Sequence, residues 1–328
     1  MAVELRKVIS MPQPERPAEA APANRGVSSR PQWLDLGLPE ATPGPVRRPA
    51  VDEGLQRALN AIHSGQYADA QQELERLLKA EEGCGEAWFY LGCLEQRRLN
   101  ADGARNCYEQ ARQRLPLAWQ PLFNLALVAL EQRQTTEARQ LLERAALLAS
   151  DVVEVRWRLA VVCEEAGDLD EARYWYEAVA GLDPEHAGAR FRLGMLALSR
   201  GELETATTHL QGCQSGHPDA AVAAYNLGLC HFKASRWREA RVCFERAHMA
   251  DPTAVEYLLA LAVLALSQQD LDRAERHERE LREGGAETAD LCFNLARAWL
   301  ERGQPERARR LFRQAVIQEP SLASGYFR

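Results

Sequence analysis

The chain has 328 residues, 46% of them hydrophobic and 27% charged, with a formal net charge of −7, the balance of an ordinary globular protein. The acidic charge and the lack of a basic stripe make no case for nucleic acid or an anionic membrane surface as partner. The longest strongly apolar run, Leu258 to Leu266, falls far short of the roughly 18 to 20 residues that cross a bilayer, so stable membrane insertion is not expected.

Taken in order, residues 1–51 differ from all that follows. They hold nine of the sixteen prolines and no helical stripe, which predicts a disordered tail. Seven basic and five acidic residues give this segment +2 and leave −9 on the remainder. After Arg6 and Lys7 only Val8 and Ile9 precede Ser10 and the prolines, too short an apolar core for a secretory signal, and a cytoplasmic location is expected. One island stands out in residues 32–38: Trp33, Leu34, Leu36 and Leu38 lie between Pro31 and Pro39. Such a cluster can dock as a short linear motif, cap the neighbouring structure, or occupy the chain's own binding surface until a partner displaces it.

From residue 52 the chain repeats. The stretch Glu86 to Pro116 reads as two short helices joined by a turn, with Trp88, Leu91, Gly92, Leu94, Ala104, Tyr108 and Ala111 at the three-and-four spacing of a buried stripe. Its pattern recurs with a period of 34, marked by Ala70, Ala104, Ala138, Ala172, Ala206, Ala240, Ala274 and Ala308. Four residues after the alanine comes a large apolar residue in most copies: Leu74, Tyr108, Leu142, Tyr176, Leu210, Phe244 and Phe312. Thirteen before it, Leu91, Leu125, Leu159, Leu193, Leu227, Leu261 and Leu295 are each followed by Gly or Ala, which lets two helices approach closely. Twelve after it, proline recurs at Pro116, Pro184, Pro218, Pro252 and Pro320 and ends the unit.

The copies span 52–84, 85–118, 119–152, 153–186, 187–220, 221–254, 255–288 and 289–322, with an incomplete cap at 323–328. The first copy is worn at Gly54 and Arg57, as befits a terminal repeat. In the turns, Gly167 and Gly201 suit the left-handed conformation that closes a helix. The seventh copy has Glu278 where an apolar ring is expected and Gly284-Gly285 where others carry proline, predicting a looser joint. Tyr326 and Phe327 begin a ninth first helix that is not completed, which leaves a minimal cap or an edge that another subunit covers.

This 34-residue pattern of a Leu-Gly pair, an alanine, an aromatic residue and a final proline resembles the tetratricopeptide repeat family. The resemblance implies an all-α, right-handed superhelical solenoid of about eight helix-turn-helix repeats with a concave groove lined by the first helices. It also implies a role in binding other proteins through a peptide or helix held in that groove.

Within the resemblance, Asn124, Asn226 and Asn294 stand one residue before the repeated leucine, where family members that bind extended peptides use asparagine to pair with the peptide backbone. The alternative is that asparagine there is simply a common residue of the repeat. The neighbouring aromatics Phe89, Phe123, Trp157, Phe191, Tyr225 and Phe293 read better as core than as a ligand site. Further along the same helices, Leu127, Met195, Leu229 and Phe232 give the groove an apolar floor, which suits an amphipathic helix better than a charged tail. The two-carboxylate clamp of chaperone-tail binders lacks its basic partners, since Glu154 and Gly188 occupy the matching places.

Neither the eight cysteines nor the seven histidines show metal-ligand spacing, and no nucleophile or phosphate-loop motif is present, so no cofactor, metal or catalysis is expected. The run Glu275 to Arg282 reads as a solvated helix face. The expected function is a non-enzymatic interaction scaffold. A second reading is a regulatory or targeting subunit of an enzyme or secretion machine that acts through its tail and C-terminal edge.

Overall fold

The computed structural model describes residues 49–213 and 220–322. The apolar island Trp33, Leu34, Leu36 and Leu38, together with Tyr326 and Phe327, lies outside them. Among the described residues the regular elements are sixteen α-helices and a short 3₁₀ turn at Pro320–Leu322. The protein divides into two compact units, which comprise described residues 49–184 and 185–322.

The N-terminal unit contains α1 (Pro49–His63), α2 (Tyr67–Ala80), α3 (Gly85–Arg97), α4 (Ala101–Arg114), α5 (Gln120–Glu131), α6 (Thr135–Leu148), α7 (Val153–Glu165) and α8 (Leu169–Leu182). The C-terminal unit contains α9 (Ala187–Ser199), α10 (Leu203–Gln211), α11 (Ala220–Lys233), α12 (Trp237–Ala250), α13 (Val255–Ser267), α14 (Leu271–Glu283), α15 (Ala289–Glu301) and α16 (Pro305–Gln318). In each unit, helices adjacent in the chain pack on one another, most extensively within the pairs α1/α2 through α15/α16. An apolar stripe too narrow to support a lone helix is thereby buried against its neighbours on either side.

The alanine column is the centre of this packing: seven of the eight marker alanines are 0% exposed and Ala308 is 1% exposed. The small residue on the facing first helix is required by distance. A Cβ on Gly92 would lie 2.7 Å from the Tyr108 ring, and one on Gly228 would lie 2.5 Å from the Phe244 ring. Gly54 has a similar cause, since a Cβ there would meet Leu77 at 2.5 Å. What looks like wear in the first copy is a close contact between α1 and α2.

Each pair turns through one left-handed residue. At positions 65, 99, 133, 167, 201, 235, 269 and 303 φ lies between 58° and 86°. Glycine fills four of these positions, and Leu99, Arg133, Ser235 and Gln269 fill the rest. Some second helices are then capped by a side chain: Asn100 Oδ1 accepts from the Gly103 N–H at 3.1 Å, and Asp270 Oδ1 from the Arg273 N–H at 3.2 Å.

Within either unit, the junction between α14 and α15 is the thinnest. Glu278 is buried there at 2% exposure. Its Oε1 accepts from Thr288 Oγ1 at 3.0 Å, Cys292 Sγ at 3.1 Å and Arg282 Nε at 3.3 Å. Glu275 is also buried, so the run Glu275 to Arg282 is not wholly a solvated face.

Candidate functional site

The first helices of the pairs carry the sequence-predicted site residues, and the two units hold them separately. In the N-terminal unit, α5 carries Asn124 and Leu127. In the C-terminal unit, α9 carries Met195, α11 carries Asn226, Leu229 and Phe232, and α15 carries Asn294.

Leu127, Met195, Leu229 and Phe232 are all half-buried. Met195 and Leu198 pack against one buried cluster, and Leu229 and Phe232 against a second. The Phe232 ring meets Trp237 edge-on, with centroids 5.2 Å apart. One side of Met195, Leu198, Leu229 and Phe232 is thus anchored in the core while the other reaches solvent. The aromatic neighbours differ: Phe89, Phe123 and Phe191 are buried core residues, whereas Trp157, Tyr225 and Phe293 keep partial exposure.

The three asparagines sit deeper than a contact residue of the surface. Asn124 and Asn226 are each 3% exposed, and Asn294 is half-buried. Their side-chain N–H groups are engaged in the free protein. Asn226 Nδ2 donates to the Val222 carbonyl at 2.8 Å, Asn294 Nδ2 to the Asp290 carbonyl at 2.9 Å, and Asn124 Nδ2 faces Cys93 Sγ at 3.8 Å. The first two bonds are turns back onto the residue four earlier in the same helix.

Pairing between columns supplies polar contacts that the repeat pattern does not announce. Tyr108 Oη donates to Gln96 Oε1 at 2.9 Å and Tyr176 Oη to Glu164 Oε2 at 2.6 Å. In both cases the acceptor lies twelve residues before the tyrosine. Where the ring position is Leu142, Leu210 or Phe244, the residue twelve earlier is Leu130, Leu198 or Phe232. This covariation within the chain was the available signal.

Arginines join successive pairs in the N-terminal unit. Arg105 reaches Glu137 at 2.7 Å, and Arg139 pairs with Asp168 and Glu171. Burial raises the thiols of both units, Cys93 and Cys292 to about 12 and Cys107 and Cys163 to about 11, so they are protonated hydrophobes at neutral pH. Among the described residues no group of three or more His, Cys, Asp or Glu side chains is placed to hold a metal ion. No described helix is long and apolar enough to cross a membrane.

Family profiles described as tetratricopeptide repeat match residues 55–97, 91–152 and 123–185, then 221–254 and 289–314. No curated protein sequence matches the chain. Among solved structures, YrrB, described as a TPR protein with an unusual peptide-binding site, has 17% identity over 55% of this chain and 92% of its own, with a TM-score of 0.49. A tetratricopeptide repeat protein from Parabacteroides merdae has 17% identity over 72% of this chain and 93% of its own, with a TM-score of 0.47. PilF of Pseudomonas aeruginosa has 19% identity over 67% and 94%, with a TM-score of 0.46.

Proposed function

Since this chain belongs to the tetratricopeptide repeat family, we propose that it is a non-enzymatic scaffold that holds an amphipathic helix of a partner protein against its first helices. The observation that carries this reading is the half-buried apolar strip of Met195, Leu198, Leu229 and Phe232 on α9 and α11. A partner helix with apolar residues three and four apart has the spacing to cover such a strip and remove it from water. In the N-terminal unit, Leu127 offers a smaller surface of the same kind.

The asparagines take a conditional part. Asn226 and Asn294 already donate to carbonyls of their own helices, so a bound segment finds their carbonyl oxygens first. Full pairing with a peptide backbone requires each amide to exchange its internal bond for an external one. The apolar strip therefore supplies the affinity and the asparagines set register.

Affinity capture from the native cells, comparing wild type with Met195→Glu and Leu229→Glu, tests the proposal. Both variants are checked for native helicity by circular dichroism. The expected result is loss of a specific partner from both. Retention of every partner by two folded variants contradicts it. An Asn226→Ala, Asn294→Ala variant should weaken the same partner less than either glutamate does.

A further inference from the structure

The second helices of the last two repeats differ from their counterparts in charge. Five residues after the marker alanine the chain reads Glu75, Glu109, Glu143, Glu177, Gln211 and Glu245, then Arg279 and Arg313. Two residues after it, Arg276 and Arg310 stand where the earlier copies have no basic residue. The inversion falls on α14 and α16, where a cavity of about 280 Å³ is lined by Asp272, Glu275, Arg276, Arg279, Arg307 and Arg310.

Two of these arginines are already held. Arg307 Nη1 lies 2.7 Å from Asp272, and its guanidinium sits over the Trp299 ring, 4.4 Å from the centroid. Arg310 pairs with Glu275. Both carboxylates of the cavity are thereby engaged. Arg276 and Arg279 make no hydrogen bond or ion pair among the described residues. They lie three apart on one helix, a spacing at which like charges repel. The cavity thus carries four guanidinium groups against two carboxylates, a net +2, on a chain whose own net charge is −7.

We propose that this cavity is a docking site for an acidic peptide segment of a partner protein, in which neighbouring carboxylates bridge Arg276 and Arg279 to the fixed Arg307 and Arg310. This surface lies on second helices, so the inference stands apart from the first-helix reading above. The net charge matches two carboxylates, and each guanidinium fork can take a carboxylate with two parallel bonds. An aromatic or apolar wall to seat a nucleobase or an acyl chain is missing from the lining. The ion pairs to Asp272 and Glu275 and the stacking on Trp299 orient two arginines before a ligand arrives, which lowers the ordering cost of binding.

The test is fluorescence anisotropy of a labelled poly-aspartate peptide with the full chain. Arg276→Glu, Arg279→Glu is compared with Arg144→Glu, Arg238→Glu, which makes the same change of net charge at exposed arginines elsewhere. The expected result is saturable, salt-sensitive binding that weakens about tenfold or more only in the first double variant. No saturable binding, or equal weakening by both variants, overturns the proposal. Displacement of the peptide by inorganic phosphate at comparable concentration also overturns it, in favour of a phosphate ligand. The Leu229→Glu variant should bind the peptide as wild type does, so failure here and failure of the first-helix reading are separable.

Discussion

At the level of single residues, the sharpest contrast lies in the turn inside each pair. Leu99 has φ 61° and is 92% exposed, so it carries the strain of a left-handed backbone without a packing return. Leu99→Gly is therefore expected to raise stability by about 0.5–1 kcal/mol in urea unfolding. Gly167→Ala, at φ 86°, should lower it by a similar amount. The glycines of this column were legible in the sequence because glycine signals the conformation. Leu99, Arg133, Ser235 and Gln269 were not, because only register with the other copies places them there.

The buried tyrosines give a second residue-scale expectation. Tyr176→Phe removes the bond to Glu164, and a cost of about 1–2 kcal/mol should follow. The thiols define an alkaline limit. Cys93, Cys107, Cys163 and Cys292 are raised from about 9 in an open chain to about 11 or 12 by burial. The folded state keeps protons that the unfolded state releases, so this contribution is complete below about pH 9 and is lost as pH climbs toward about 12. An alkaline unfolding titration should show that loss, shifted upward when Cys93→Ala and Cys292→Ala remove the two thiols raised furthest.

At the scale of elements, the joint between α14 and α15 adds polar contacts where other joints have a buried aromatic residue or leucine. Glu278 replaces the aromatic or leucine of other copies and is held by Thr288, Cys292 and Arg282. Glu278→Ala leaves those groups without their acceptor and should cost about 2–3 kcal/mol. Arg139→Ala, which opens a more exposed clamp to Asp168 and Glu171, should cost about 1 kcal/mol or less. The helix pairs themselves were readable, since alanine, leucine and proline recur at fixed offsets. Burial of Asn124 and Asn226 was not, because a residue's exposure on a first helix is set by how far the neighbouring pair covers it. Nor was the arginine cavity, whose walls come from helices a full repeat apart.

At the scale of the whole molecule, helix packing inside each unit runs between neighbouring helices and pairs, so stability is a sum of local terms and unfolding need not be a single transition. Hydrogen exchange should reflect this. Glu278→Ala is expected to loosen amides of the C-terminal unit and leave protection in the N-terminal unit unchanged, and Tyr176→Phe to do the reverse. Uniform loss of protection across both units in either variant would show coupling that neighbour-only packing does not provide.

Of the two proposed surfaces, the first helices are the ones that hold the partner's amphipathic helix. The most direct measurement is photo-crosslinking in the native cells, with a photoreactive amino acid placed at Leu229 on the half-buried strip or at Met249, a second-helix residue that is 75% exposed. One partner, joined through an amphipathic segment, is expected from position 229 and not from 249. Crosslinks to an amphipathic segment from 249 alone would contradict it and move that partner's helix to the second-helix face.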